Sequence, residues 1–291
     1  MPARNLIDVR RRVRSVKNIQ QITRAMKFVA ASKLRRAQDR IVAARPYANR
    51  MLAILNSLAT RVDPSEHPLL EEREQNRVML IVITADKGLC GAFNNNIIKA
   101  ATQYIQDEAT NRALSLTLVG RKGVDFFRRR SWDIQHQYVN IMSRVDYDYA
   151  REIGQAVIEY YSTDQVDAVY LVYNEFKSVI QQRVILEPLL PIGRLEIQET
   201  LSLRYIYEQP APVIFGHLLP RHVETQIFRA MLESEASEHG ARMTAMDSAT
   251  RNAKDMIERL TLEMNRLRQA TITTELIEIV SGADALTEGG G

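Results

Sequence analysis

The residues through which this chain could do chemistry are few and scattered. Histidines stand at 67, 136, 217, 222 and 239, and the single cysteine is Cys90. No histidine pair has the HExxH spacing that sets two ligands on one helix face, and one thiol cannot build a multi-thiolate zinc site, so no metal centre is expected. Cys90 follows an apolar run with no histidine beside it, the setting of a small packed side chain rather than an activated nucleophile. The glycine pairs in GLCG (Gly88–Gly91) and GRKG (Gly120–Gly123) fall short of the GxGxxG that lets a backbone approach a pyrophosphate. Gly-Lys never occurs, so there is no P-loop to cradle a triphosphate. Glu233, Glu235 and Glu238 read as a solvated charge run on a long helix rather than as an acid/base pair. The expectation is a chain with no catalytic residue, no cofactor and no metal.

Charge says more. The 291 residues carry a net +4, yet residues 1–50 hold 14 Lys or Arg against only Asp8 and Asp39. Such a segment seeks an acidic surface, which could be nucleic acid, anionic lipid or an acidic patch on another protein. Arg10, Arg11, Arg12, Arg14 and Lys17 on one helix could grip a polyphosphate, which makes a basic helical hairpin that binds nucleic acid one reading. Little aromatic side chain is interleaved with them beyond Phe28 and Tyr47. The other reading is a shaft that rides against acidic protein loops. Physical chemistry alone leaves both open.

The elements that must position this charge are long helices. From Leu34 to Val62 the positions Leu34, Ala37, Ile41, Ala44, Ala48, Met51, Leu55, Leu58 and Val62 alternate spacings of 3 and 4, the seam of a coiled coil. Leu6, Val9, Val13, Val16 and then Ile19, Ile22, Met26, Val29 continue it with phase slips between blocks. With Pro46 the only proline between Pro2 and Pro64, one helix over about residues 3–60 is expected, bent near Pro46 and roughly 85 Å long. Near the other end Met243, Met246, Thr250, Ala253, Ile257, Leu260, Met264, Leu267, Thr271 and Thr274 alternate in the same way, and Pro220 suits the first turn of that helix. Gly240 lies in a small-residue stretch over Ala236–Ala249, where close approach of the first helix is the expected reason for it. Two seams this thin bury no core alone, so the chain ends should pair antiparallel.

Between them, Val78–Ile83, Leu114–Val119 and Val166–Tyr173 are short β-branched runs separated by helical patterns near Asn94–Ala109, Gly123–Arg130 and Asp146–Tyr161. This predicts an α/β, doubly wound, Rossmann-like sheet, mostly parallel, with Ile134–Val139 and Phe176–Leu186 at its edges and a short piece at Arg204–Glu208. The expected organisation is an N-terminal coiled-coil helix over 1–62, a connector over 63–77, an α/β globular foot over 78–210 and a C-terminal coiled-coil helix over 211–291. No stretch approaches 18 uninterrupted apolar residues, and the opening lacks the apolar core of a secretory signal. A soluble chain in a reducing compartment, linked to a membrane only through partners, is expected.

The wording of particular segments decides between the two readings of the charge. Ser15–Gln38 (SVKNIQQITRAMKFVAASKLRRAQ) with Ala44–Tyr47 (ARPY) closely resembles the opening of the gamma subunits of F-type ATP synthases. Thr84–Asn94 (TADKGLCGAFN), Tyr173–Phe176 with LLPI at Leu189–Ile192, and Ala241–Ala283 with its ARMTAMDSAT, RQATIT and EIVSGA agree in order and spacing. The chain lacks the inserted cysteine-pair switch of chloroplast members, and without an Arg/Ser-rich leader before Leu6 it resembles the bacterial type.

The resemblance implies an asymmetric rod of paired terminal helices inside a ring of three alpha and three beta subunits. It implies a foot that meets the epsilon subunit and a membrane rotor ring of c subunits, with no nucleic acid and no direct membrane insertion. Proton flow would turn the rod, and the rod would impose different states on catalytic sites of the beta subunits. The location implied is the cytoplasmic face of a bacterial inner membrane, as a peripheral part of the complex. Residue by residue, Met26, Lys27, Lys33 and the loop of Lys87 and Cys90 match positions facing acidic beta-subunit loops. Arg268, Gln269 and Thr273 match the upper ring contacts, where the β-branched run Thr271–Thr274 would be stiff. Tyr205, Tyr207 and Glu208 match the foot surface that meets the epsilon subunit and the rotor ring.

Overall fold

A computed structural model describes residues 6–59, 67–108, 111–130, 132–179, 181–193 and 210–288. The chain divides into two compact units, Met1–Val29 with Ala245–Gly291, and Ala30–Thr244.

The larger unit is built on a five-stranded sheet ordered β3-β2-β1-β4-β5. Its strands are β1 (Arg77–Ile83), β2 (Ala113–Val119), β3 (Ile134–Tyr138), β4 (Ala168–Phe176) and β5 (Gln182–Leu190). β1 is the central, doubly covered strand: six of its seven residues are buried. Its side chains alternate between two cores, Met79, Ile81 and Ile83 on one face, Leu80 and Val82 on the other. Helices α2 (Phe93–Glu108) and α3 (Arg121–Phe127) cover the second face. Helix α4 (Tyr147–Ser162) covers the first, together with Met51 and Leu55 of α1 (Leu6–Ala59) and Phe215, Leu219, Val223 and Ile227 of α5 (Ala211–Glu288). β1, β2, β3 and β4 are parallel, so the doubly wound fold expected from the sequence is present.

β5 lies at the edge of the sheet as expected, but its bounds differ from the expected ones. The segment expected over Phe176–Leu186 is broken by a reversal in which Ser178 N donates to Gln181 O at 3.0 Å, so β5 starts at Gln182 and pairs antiparallel with β4. α5 begins at Ala211, the start of the expected C-terminal segment, so Pro220 lies inside it and not in its first turn. A proline ring clashes with the carbonyl four residues back, and that position is Gly216, around which there is open space.

Gly240 makes room for a different neighbour from the one expected. A Cβ there would meet Gln182 Nε2 at 3.2 Å and Phe176 Cε2 at 3.6 Å, both in the β4–β5 hairpin. α1 meets α5 one turn earlier, where Ala236 packs on Leu34 and Ala37.

In the smaller unit the two helices pair antiparallel, with Thr250 Oγ1 2.8 Å from Thr23 Oγ1 and Lys27 Nζ 2.5 Å from Asp247 Oδ1. Along α1 a stripe of buried and half-buried positions runs Val9, Val13, Val16, Gln20, Thr23, Lys27, Ala30, Leu34, Ala37, Ile41, Ala44, Ala48, Met51 and Leu55. These alternate spacings of 4 and 3 throughout, so the expected phase slips do not exist. The seam passes instead through the polar Gln20, Thr23 and Lys27. Ile19, Ile22 and Val29, expected in the seam, are 50%, 59% and 57% exposed. On α5 the positions from Met243 to Leu267 are buried or half-buried as expected, while Thr271 and Thr274 are exposed.

Candidate partner-binding surfaces

In the smaller unit, Arg10, Arg11, Arg12, Arg14 and Lys17 are all exposed on α1. Met26 is half-buried, and Lys27 has its ammonium on Asp247, whose carboxyl it holds below the usual carboxylate range chiefly through that hydrogen bond. Arg268, Gln269 and Thr273 are exposed on α5. The hydroxyls of Thr271, Thr273 and Thr274 donate to carbonyls one turn back, at 2.9 to 3.0 Å, which immobilises them on the helix surface. Around them Ile272, Leu276, Ile277, Ile279 and Val280 are exposed as well.

In the larger unit, Lys33 and Lys87 are exposed. The loop after β1 turns through Leu89 and Gly91 at positive φ, and Leu89 is exposed. Cys90 does not share that exposure: it is buried, accepts a hydrogen bond from Asn94 Nδ2 at 3.2 Å, and has its thiol pKa pushed up by burial. Cys90 therefore holds the loop's shape and does not present its side chain. Tyr205, Tyr207 and Glu208 lie outside the described residues, as does the expected piece at Arg204–Glu208.

The carboxyl edge of the parallel strands, where open α/β sheets bind ligands, is filled by the chain itself. Thr84 Oγ1 accepts from Gly123 N at 2.9 Å. Gly120 has φ +93°, and a Cβ on it would fall 2.1 Å from the Thr84 carbonyl oxygen. The GRKG glycines thus let the β2–α3 turn close on Thr84. Asp86 accepts from the backbone N of Arg121, Asn140 and Met142 at 2.8 to 3.0 Å. A carboxylate and a hydroxyl occupy the amides that a phosphate would use.

Beside this edge stand side chains whose burial reverses an expectation. Glu235 and Glu238 are buried and Glu233 is half-buried, so the run is no solvated face. Burial raises all three carboxyl pKa values, that of Glu235 to about 7, with Arg40 opposing the shift. Arg40 lies 3.4 Å from Glu235 and also donates to the Val145 carbonyl. Arg242 lies 2.6 Å from Glu238 Oε1 and donates to Gly88 O at 3.1 Å. His222 and His239 are buried too, and burial lowers each pKa to about 4. The sequence carried a usable signal for this network: Glu238 and Arg242, like Arg229 and Glu233, stand four apart on a helix.

A protein-family model described as ATP synthase matches residues 5–286. The ATP synthase gamma chain of Pelotomaculum thermopropionicum is 49% identical over 283 residues, covering 97% of this chain and 99% of that one. The chain belongs to the ATP synthase gamma family. The gamma chain of Solibacter usitatus is 50% identical over 285 residues, with 97% and 99% of the two chains covered. Among solved structures, a chain from the central stalk and c-ring of Tetrahymena thermophila mitochondrial ATP synthase is 28% identical, with a TM-score of 0.61 over 78% of this gamma-family chain and 99% of that chain. A chain of Euglena gracilis mitochondrial ATP synthase, 22% identical, shares the fold with a TM-score of 0.69 over 98% and 95% of the two chains. The family match leaves the nucleic-acid reading of the basic arm without support.

Proposed function

We propose that this chain is the central rotor shaft of an F-type ATP synthase, carrying no catalytic site of its own. The observation that carries the reading is identity of 49% to a gamma chain over 97% of the sequence. On this reading the paired terminal helices (1–62 and 211–291) form the shaft, 63–77 connects, and 78–210 forms the foot. Three alpha and three beta subunits surround the shaft, and the foot meets the epsilon subunit and a ring of c subunits. The complex sits on the cytoplasmic face of a bacterial inner membrane, which this chain reaches through its partners. Among the described residues no helix is long and apolar enough to cross a membrane.

The shaft acts by contacting three conformations of the ring unequally, since a partner shifts an equilibrium only by differential affinity. Exposed Arg10, Arg11, Arg12, Arg14 and Lys17, with Lys33 and Lys87, supply cations for acidic ring loops. Met26 and Lys27, half-buried on α1, contribute further ring contacts, and the Cys90 loop is held in shape beneath Lys87. Arg268, Gln269 and Thr273 meet the upper ring, and the exposed apolar residues from Ile272 to Val280 are what such a sleeve would cover. Tyr205, Tyr207 and Glu208 meet the epsilon subunit and rotor ring. The test is a pull-down on the full chain: six large nucleotide-binding subunits should accompany one copy, and their absence would sink the reading.

A further inference from the structure

Between Ile19 and Val29 the buried face of α1 is not its most apolar face. Thr23 is buried, while Ile19, Ile22 and Val29 point outward. A seam through Ile19, Ile22, Met26 and Val29 has the 3,4,3 spacing of a coiled coil, and rotating α1 by about one residue, roughly 100°, would bring it inward. Over this stretch apolar burial favours that rotation, but it would draw Val9, Val13 and Val16 out of the same continuous seam, and specific contacts within the stretch oppose it as well.

The contacts within the stretch are polar. Thr250 Oγ1 and Thr23 Oγ1 lie 2.8 Å apart, with the Met246 carbonyl 2.7 Å from the first and the Gln20 carbonyl 3.1 Å from the second, so the two hydroxyls share one hydrogen bond across the helix pair. One turn on, Lys27 meets Asp247, whose other oxygen is 3.3 Å from Arg251. A step of four along α1 answers a step of three back along α5, so both contacts demand one antiparallel register. A slip of seven residues would set Thr23 opposite Met243 or Ile257, and Lys27 opposite Gly240 or Lys254, pairs with no attraction. Polar residues at seam positions fix register at a cost in stability.

We infer that Thr23, Thr250, Lys27 and Asp247 form a register lock that sets which face of α1 turns toward α5 and holds Ile19, Ile22 and Val29 outward as an apolar stripe. The lock stands on the pairing of the two helices and is independent of the rotor reading. A chain that failed to recruit ring subunits yet kept the lock would count against the rotor alone.

The test uses the full chain with Cys90→Ser and spin labels on Arg24→Cys and Lys254→Cys, both at exposed positions. The parent should give one narrow distance distribution. Asp247→Ala with Thr250→Ala, which leaves α1 untouched, should shift or split it by several ångströms at unchanged helix content. Lys27→Asp should do the same alone, and Asp247→Lys added to it should restore the parent distribution. Superimposable distributions for the Asp247→Ala/Thr250→Ala variant and the parent, or failure of the charge swap to restore, would overturn the lock.

Discussion

Arg242 Nη2 lies 2.6 Å from Glu238 Oε1 and 3.1 Å from the Gly88 carbonyl oxygen. One guanidinium therefore neutralises a buried carboxylate on its own helix and fastens the loop after β1. Arg242→Ala strands Glu238 and should cost on the order of 3–5 kcal/mol in urea unfolding. Replacing both residues by Met should recover most of that loss. A single variant as stable as the parent would show that Glu238 is neutral in the fold.

Leu55 is fully buried and shares a core with Met51 and Leu69. Leu55→Asp puts a charge there, with an expected loss on the order of 3–5 kcal/mol by thermal or urea unfolding. Leu55→Met should lose less than about 1.5 kcal/mol. In an assembled complex, Leu55→Asp should also lower proton pumping per ATP hydrolysed, and normal coupling would contradict the seam's mechanical role.

Glu235 titrates near 7 in the fold because burial penalises its charge, against 4.5 as the ordinary value. Between those values the folded chain keeps a proton that the unfolded chain has released, so stability from this group is present below about pH 4.5 and lost as pH rises through 7. Glu235→Gln should match the parent near pH 4.5 and exceed it by on the order of 1–3 kcal/mol at pH 8. His222, lowered to about 4, has the opposite sign: its neutral form holds stability above pH 6.5 that is lost as pH falls toward 4. His222→Gln should flatten that limb in unfolding midpoints measured from pH 4 to 6.5.

Arg268 is exposed on α5. Arg268→Ala should change the isolated chain's stability by less than about 0.5 kcal/mol, while lowering the yield or coupling of the assembled complex. Full ATPase coupling in that complex would remove Arg268 from the contact surface.

The sheet was readable because β-branched runs bounded by turns mark strands directly, and β1, β2 and β4 fall within two or three residues of Val78–Ile83, Leu114–Val119 and Val166–Tyr173. The bounds of β5 were missed because nothing in Phe176–Leu186 marks where a hairpin reverses; Ser178 and Gln181 do it with a backbone pair. The α1 seam was half legible: three polar residues in its stripe imitated a phase slip, and the isoleucines beside them supplied a false alternative. Glu235 and Glu238 were misread because a charge run looks the same in sequence whether water or Arg40 and Arg242 faces it. The lone-cysteine reading held, since a thiol after a buried strand packs, as Cys90 does.

Asp86 gathers the chain beyond β2 and beyond β3 onto one carboxylate, from its own place just past β1. Three separate crossings of the sheet are thus buckled at a single side chain. Removing it frees every one of those loop starts at once, so damage at that residue would spread sideways across neighbouring strands instead of staying where it began.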